Sequence, residues 1–185
     1  MVAPIFLSDS RQNTPTSKRS ESGGEFTIER VNMTDIKLII DKSTLSEYEK
    51  VYFSKHTKAK KKPIEQPYHP SINQWMIMKR PMMNSVKQKW KDFIVWFINK
   101  HGYANLHIQE CEMTFYTYYS TNRRHDVDNT TPKFILDGLS ESGFIIDDDS
   151  KHLKKLTLQC GVDIHNPRTE IFIKIIRMEG KLHEE

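Results

Sequence analysis

The stretch RRHDVDNTTPKFILDGLSESGFIIDDDS, residues 123–150, decides how this chain is interpreted. It begins with basic residues and the pair Asp126 and Asp128, and it ends in three consecutive aspartates at 147–149. On an extended backbone, residues two apart point to the same side. We therefore expect both carboxylates of the first pair to lie on one face, while Val127 turns toward the core.

The segment between the two acidic clusters predicts a short helix followed by a return loop, which would bring the second cluster back to the first. Carboxylates that gather need a counter-charge, and the hard cation Mg²⁺ prefers oxygen ligands. In a basic protein this combination indicates chemistry on a phosphodiester. A calcium-binding EF-hand is excluded because Thr131 stands where that loop needs glycine and Pro132 follows it. The simpler alternative is a set of turn-capping aspartates in a solvated loop.

Length and charge set limits on the class of protein. A chain of 185 residues predicts one domain with an appended tail. The formal net charge of +4 and the pI near 8.9 are compatible with nucleic acid as a partner. No apolar run approaches the roughly 20 residues needed to span a bilayer, and no secretory signal is evident. We predict a cytoplasmic protein without membrane contact, in which Cys111 and Cys160 are reduced core thiols.

The N-terminal third is predicted to differ from the rest. Residues 1–24 are polar and Ser-rich, which is typical of a disordered tail. Residues 25–62 are predicted to form an extra element and a basic loop, with strands at 25–31 and 36–40 and a short helix at 44–53. The loop contains Lys60, Lys61 and Lys62, which either form a solvated face or act as a basic arm that neutralises phosphates.

The remainder, residues 63–180, is predicted to be the main folded domain. Its pattern indicates an α+β fold, a mixed β-sheet with two main helices packed on it. The two predicted helices lie at 86–100, capped by Asn84-Ser85, and from Thr131-Pro132 to about Glu141. A strand is predicted at 106–119, with a bulge near Gln109-Glu110. Two further strands, at 153–162 and 169–178, are joined across the turn at 165–167.

An ordered set of residues in this domain resembles the RusA-type Holliday junction resolvases, crossover junction endodeoxyribonucleases found largely in phages and prophages. The resemblance covers about residues 63–178. It is carried by Arg124, Asp126, Asp128, Asn129, Lys133, Asp137, Leu139, Gly143, Phe144, Asp147 and Asp148, by Pro70-Ser71 and Asn73 in HPSINQW, and by the closing strand TEIFI at 169–173.

The resemblance implies a RusA-like fold and a homodimeric, Mg²⁺-dependent nuclease that binds four-way DNA junctions and nicks two strands symmetrically, in DNA recombination and repair. Mn²⁺ is a substitute for Mg²⁺ in this prediction. Asp126, Asp128 and Asp148 would hold the metal, with Asp147 as an alternative ligand. Lys133 would sit beside the scissile phosphate. These four positions, Asp126, Asp128, Lys133 and Asp148, are the predicted catalytic residues.

Two departures from the family pattern bear on these assignments. One residue more than expected separates Asn129 from Lys133, and it introduces Pro132. The second acidic cluster has three members rather than two, so the third ligand is either Asp147 or Asp148. Counting back from Gly143-Phe144 favours Asp148.

The predicted DNA contacts are basic. Arg123, Arg124 and His125 lie where backbone phosphates would pass, and arginine suits bidentate phosphate contacts. His125 fits equally well as a strand-end histidine without a role in binding. The lysines of the basic arm, Lys60, Lys61 and Lys62 among them, and the exposed lysines of the predicted helix at 86–100 complete the predicted footprint.

Three other functions remain open at this stage. The first is a junction- or DNA-binding module without catalysis, because the extra residue before Lys133 could misplace it. The second is a metal-dependent nuclease for other branched DNA, such as flaps or forks. The third is a non-enzymatic partner-binding protein, in which the acidic loop is an ordinary part of the surface.

Overall fold

The computed structural model describes residues 35–178. The predicted tail at 1–24 and the predicted strand at 25–31 lie outside these described residues. The described part contains four strands, four α-helices and one 3₁₀ turn. In chain order they are β1 (Ile36–Ile40), α1 (Lys42–Lys55), α2 (Ile72–Trp75), α3 (Arg80–Lys100), β2 (Ile108–Tyr119), the 3₁₀ turn Val127–Thr130, α4 (Lys133–Glu141), β3 (Leu153–Val162) and β4 (Arg168–Met178).

The strands form one mixed sheet in the order β1-β4-β2-β3. Strand β2 pairs in parallel with β3 on one side and antiparallel with β4 on the other, and β4 pairs antiparallel with β1. The consecutive strands β3 and β4 are therefore not neighbours, because β2 lies between them. The predicted α+β class with a mixed sheet is confirmed.

The two faces of the sheet differ in burial because side chains alternate along each strand. In β2, Met113 and Phe115 are almost fully buried, whereas Thr114 and Tyr116 on the opposite face are only partly covered. The core cluster joins the inner face to the helices, through residues such as Phe93 of α3. We call the face that contains Thr114 and Tyr116 the open sheet face.

The N-terminal part of the described chain belongs to the same core. Leu38 and Ile40 of β1 and Leu45 and Tyr48 of α1 are buried in the main cluster. Helix α1 begins because the side chain of Asp41 accepts the backbone N–H of Thr44 at 2.8 Å, which satisfies one of the free donors of the first turn.

The starts of α3 and β2 are among the element boundaries that differ from the sequence prediction. Helix α3 begins at Arg80 rather than at a cap formed by Asn84-Ser85, so that capping assignment was wrong. Pro81 lies in the first turn, where its fixed φ favours the helix and its missing N–H has no cost. Strand β2 begins at Ile108 because the preceding His107 adopts a left-handed conformation.

The predicted irregularity in β2 is confirmed. Its register shifts against β4 on both sides of Glu110, and against β3 between Cys111 and Glu112. Both cysteines are free: Cys111 is buried, and Cys160 is partly buried. Burial raises the pKa of the Cys111 thiol to about 11, so it packs as a neutral side chain.

Among the helices of residues 35–178, none combines the length and apolar character that crossing a bilayer requires.

Helices α3 and α4 approach closely at one glycine. A Cβ atom added at Gly138 would lie 2.6 Å from Ile94 Cβ, a distance that two carbon atoms do not tolerate. Only glycine therefore allows α4 to pack at this distance from α3. This contact positions α4 and everything attached to its first turn.

We predict that Gly138→Ala lowers the free energy of unfolding. Overpacking typically costs about 1–3 kcal/mol, more than the gain of up to about 1 kcal/mol in helix propensity. Urea unfolding of wild type and variant measures the difference. Ser140→Ala, on the same helix, is the matched control and is expected to change stability by less than about 0.5 kcal/mol. Equal stabilities for the two variants would mean that the helices are not in this close contact.

Candidate active site

The candidate site is centred on Lys133, the first residue of α4. Its ammonium lies 2.9 Å from an oxygen of Asp148 and 3.0 Å from an oxygen of Asp137. Asp137 also pairs with Lys87 of α3 at 2.9 Å. The loop after α4 carries Asp148 to the first turn of that helix, where its carboxylate meets Lys133.

These contacts fix the charges of the pair Lys133 and Asp137. Partial burial disfavours the ammonium, but the hydrogen bonds that it donates to Asp148 and Asp137 outweigh this effect and hold the pKa of Lys133 above its ordinary value. Burial likewise opposes the charge on Asp137, and the contacts with Lys87 and Lys133 prevail and lower its pKa. At neutral pH the site therefore holds a charged lysine between two carboxylates.

The three aspartates at 147–149 have different environments. Asp148 is the one whose carboxylate meets Lys133. The side chain of Asp147 accepts the backbone N–H of Asp148 at 2.8 Å. Asp149 accepts the backbone N–H groups of Lys151 and His152 at 2.8 and 3.1 Å, so it caps the turn that leads into β3. Of the three, Asp148 is the member that belongs to the candidate site, and Asp149 has a structural role.

The first acidic pair is arranged differently from the prediction. Asp126 precedes the 3₁₀ turn and Asp128 lies within it, and Val127 is 45% exposed rather than directed to the core. Short-range hydrogen bonds explain this. The hydroxyl of Thr130 donates to the carbonyl of Val127 at 2.6 Å, and that of Thr131 donates to the carbonyl of Asp128 at 3.0 Å. Such contacts compete with extended structure and favour a tight turn. The expected common face of an extended segment was therefore wrong.

The predicted DNA-contacting residues before this turn are mostly exposed. Arg123 is exposed, and the guanidinium of Arg124 donates to Asp126 at 3.3 Å. The imidazole of His125 stacks in parallel on the ring of Tyr119, with ring centroids 3.6 Å apart. This stacking fixes the imidazole of His125 next to the end of β2.

The lysines of the predicted basic arm differ in exposure and in ion pairing. Lys60 and Lys61 are exposed, whereas Lys62 pairs with Glu49 of α1 at 2.9 Å. Lys62 and Ser120 line the same cleft, so the arm approaches the residues that follow β2.

The donor chemistry of the predicted metal ligands can be compared with the demands of the ion. Within residues 35–178, no three carboxylate, histidine or cysteine side chains are gathered closely enough to hold a metal. Asp126, Asp128 and Asp148 nevertheless offer only oxygen donors, and Asp148 already contacts a cation, the ammonium of Lys133. Such donors fit Mg²⁺ or Mn²⁺. The side chain that directly contacts Lys133 from this predicted set is that of Asp148.

A buried histidine that the sequence prediction did not include connects this site to an upstream loop. The Nδ1–H of His69 donates to the carbonyl of Pro70 at 2.7 Å, and its Nε2 accepts the backbone N–H of Phe134 at 3.0 Å. Phe134 directly follows Lys133. The histidine stood in the HPS tripeptide, but nothing in that local sequence indicated a partner in α4.

Three separated parts of the sequence meet around α4. Helix α2, which contains Asn73, lies against the 3₁₀ turn, and Trp75 packs on the ring of Phe134 with centroids 5.5 Å apart. At the start of β4, the hydroxyl of Thr169 donates to the carbonyl of Pro67 at 2.8 Å. The segment at residues 67–75 thus contacts the 3₁₀ turn, helix α4 and the start of β4.

In comparisons with known proteins, no family model matches this sequence, and no curated protein is significantly similar to it.

We predict that His69 makes folding sensitive to mild acid. Burial lowers its pKa from 6.5 to about 4, against smaller opposing effects of the Pro70 carbonyl and Asp137. The unfolded chain therefore binds more protons between these two pH values, and stability falls as the pH drops from about 6.5 toward 4, by up to about 3 kcal/mol. Urea unfolding as a function of pH measures this loss.

His69→Phe is the matched variant, because it keeps an aromatic ring without the titrating group. It leaves the N–H of Phe134 without its acceptor, which costs about 1–3 kcal/mol at neutral pH. Its stability is expected to vary less than that of wild type between pH 6.5 and 4. Identical pH profiles for the two proteins would contradict the role assigned to His69.

Proposed function

We propose that this chain is a Mg²⁺-dependent endonuclease that resolves four-way DNA junctions by paired, symmetric nicking, as RusA-type resolvases do. The observation that carries the proposal is the contact of Lys133 with Asp148, beside the turn that holds Asp128. It joins a cation that could bind phosphate to the second acidic cluster, and Lys133 closely follows in sequence the 3₁₀ turn at the first acidic pair.

In this proposal Asp126, Asp128 and Asp148 hold the metal, and Asp147 is the alternative ligand. A bound Mg²⁺ ion would polarise the phosphodiester and lower the pKa of an attacking water. Lys133 contacts Asp148, the third of these ligands, and its charge would stabilise the negative charge that develops on the phosphate. Its raised pKa supports this role, since the ammonium stays protonated at any pH at which a nuclease works.

Arg123 and Arg124 are proposed to contact backbone phosphates near the cut, together with His125, and the lysines at 60–62 to extend this footprint. The exposed guanidinium of Arg123 and the exposed ammonium groups of Lys60 and Lys61 are available for such contacts. Backbone contacts of this kind position a duplex without selecting its sequence. Recognition of a junction would therefore depend mainly on its shape.

A second candidate function is a junction-binding module without catalysis. The observation that favours it is the double neutralisation of Lys133 by Asp137 and Asp148, which leaves little free positive charge at the centre of the site. In that case the basic residues would bind DNA, and the acidic clusters would orient Lys133.

Symmetric nicking needs two copies of the site, and we propose that the open sheet face forms the interface of a homodimer. Apolar side chains on this face remain exposed, among them Ile39, Phe172 and Ile176, at 39%, 39% and 43%. The face spans roughly 20 Å by 30 Å, on the order of 600 Å². This is close to the about 800 Å² per partner of a standard interface.

The charges of this face also suit a second copy of the same chain. Glu170 pairs with Lys37 at 2.9 Å, and Lys174 lies beside Glu112 at 3.5 Å. Positive and negative side chains therefore alternate around Phe172 on this face. A surface with balanced charges can meet itself without net repulsion, which an isologous interface requires.

We predict that Asp128→Asn lowers the rate of nicking of a synthetic four-way junction about 100-fold or more. Binding of the junction is expected to be unchanged or tighter. The substitution removes a predicted metal ligand and a negative charge near phosphate. The measurement is a gel assay of labelled junction strands with Mg²⁺ or with EDTA. Asp149→Asn is the control, because asparagine retains the acceptor that caps the following turn.

The outcomes of this assay separate the candidate functions. Paired nicks that require both Mg²⁺ and Asp128 would support the resolvase proposal. Tight junction binding without nicks in wild type would support the binding module instead. Equal nicking by wild type and Asp128→Asn would remove Asp128 from the site.

We predict that Phe172→Glu converts a dimer into a monomer in solution. The new carboxylates would face each other across the interface and would also lie near Glu170, so association becomes unfavourable. Light scattering coupled to size exclusion measures the mass. Ile176→Glu, on the same face, tests the interface independently, and Ile164→Glu in the β3–β4 loop is the control. A monomeric wild type, or dimeric forms of both Phe172→Glu and Ile176→Glu, would contradict the proposed interface.

A further inference from the structure

A second exposed apolar feature lies between α2 and α3, on the turn at residues 76–79 and the first turn of α3. Ile77 is 85% exposed, Met76 66% and Met82 59%. Scattered exposed apolar residues are common, but three large ones within residues 76–82 are concentrated in one short segment, and this concentration calls for an explanation. We call these three side chains the apolar tip.

The backbone beneath the apolar tip is held in place by hydrogen bonds. The N–H of Met76 donates to the carbonyl of Ile72 at 2.9 Å, and that of Met78 donates to Trp75 at 3.3 Å. Helix α3 then begins with Pro81 in its first turn. The apolar side chains are thus presented by ordered structure, at little further entropic cost on binding.

The apolar tip is connected to the candidate active site. Trp75, directly before Met76, packs on Phe134, the neighbour of Lys133. Helix α2 also lies against the 3₁₀ turn that contains Asp128. The segment that leads into the apolar tip is therefore fixed against the elements that carry the proposed site.

The charges around the apolar tip indicate the kind of partner. Lys79 and Arg80 lie between Met76 and Met82, are exposed, and form no ion pair within residues 35–178. Apolar side chains flanked by free cations match a nucleic acid, in which apolar base faces lie between rows of phosphates. A second copy of the chain fits less well, because the two cations would face two cations and three side chains offer only a small area.

We propose that the apolar tip inserts between bases at the branch point of a DNA junction and unstacks them, while Lys79 and Arg80 hold the adjacent phosphates. This inference rests on the proposed function for its substrate. Proteins that distort DNA use Met, Ile and Leu side chains as wedges in this way. Bases next to a branch point are more easily unstacked than those in a continuous duplex, so the wedge favours junctions over duplex.

The test uses the full chain and a four-way junction with 2-aminopurine next to the branch point, whose fluorescence rises when the base is unstacked. EDTA prevents cleavage during the measurement. Wild type is expected to raise the fluorescence. The double variant Met76→Ser/Ile77→Ser is expected to lose most of this rise and to lower the preference for junction over duplex about tenfold. Its melting temperature should match that of wild type, because both side chains are exposed.

Ile164→Ser is the matched control, since Ile164 is also apolar and 61% exposed but lies in the β3–β4 loop. It is expected to behave as wild type. An equal fluorescence rise and an equal junction preference in the double variant would overturn the proposed wedge.

Failure of the wedge can be distinguished from failure of the proposed function by a parallel nicking assay with Mg²⁺. Nicking by wild type without a rise in fluorescence would overturn the wedge and leave the nuclease in place. A rise that depends on Met76 and Ile77, without nicking, would support the wedge on a binding module. Absence of junction binding by wild type would overturn both proposals.

Discussion

The parallel pairing of β2 with β3 is the constraint on which the candidate site depends. Parallel neighbours cannot be joined by a tight turn, so the chain between Tyr119 and Leu153 leaves the sheet and returns. This connection contains α4 and both acidic clusters. Its position is fixed where Gly138 packs directly on Ile94 of α3. Lys133 and Asp148 therefore meet because of the sheet topology, although fourteen residues separate them in the sequence.

The charged residues at and around the site fall into two groups, a paired set centred on Lys133 and the exposed basic residues outside it. Lys87, Lys133, Asp137 and Asp148 form a connected set of two cations and two anions with no net charge. Such a set can orient Lys133, but it attracts phosphate only weakly from a distance. Under the proposed function, attraction of DNA then depends on the exposed basic residues outside this set, the arginines at 123–124 and the lysines at 60–61. Asp137 is less exposed than Asp148 and also bonds to Lys87, so it holds Lys133 from one side independently of the acidic loop.

Much of the fold could be predicted from the sequence, because burial on one face leaves a clear periodicity. The four described strands and helix α4 (Lys133–Glu141) follow such patterns, and so does the bulge near Glu110. The features that were predicted wrongly or missed depend on local hydrogen bonds or on contacts between residues distant in sequence. Hydroxyl groups of Thr130 and Thr131 turn the DVDN segment into a 3₁₀ turn, and no periodicity reports this. His69 was missed because its acceptor role toward Phe134 exists only once α4 has packed beside it.

The sheet separates the two proposed interactions. Helix α3, helix α4 and the candidate site belong to the packed side of the protein, whereas Phe172 and Ile176 belong to the open sheet face. A second copy on the open face would therefore lie across the sheet from α3 and from α4, which carries Lys133. On the packed side, His69, Trp75 and Phe134 are in contact, so the loop that precedes the apolar tip and the first turn of α4 share one rigid core. A DNA strand displaced by the apolar tip would consequently be positioned relative to Lys133 by buried aromatic packing, which varies far less than a flexible loop would.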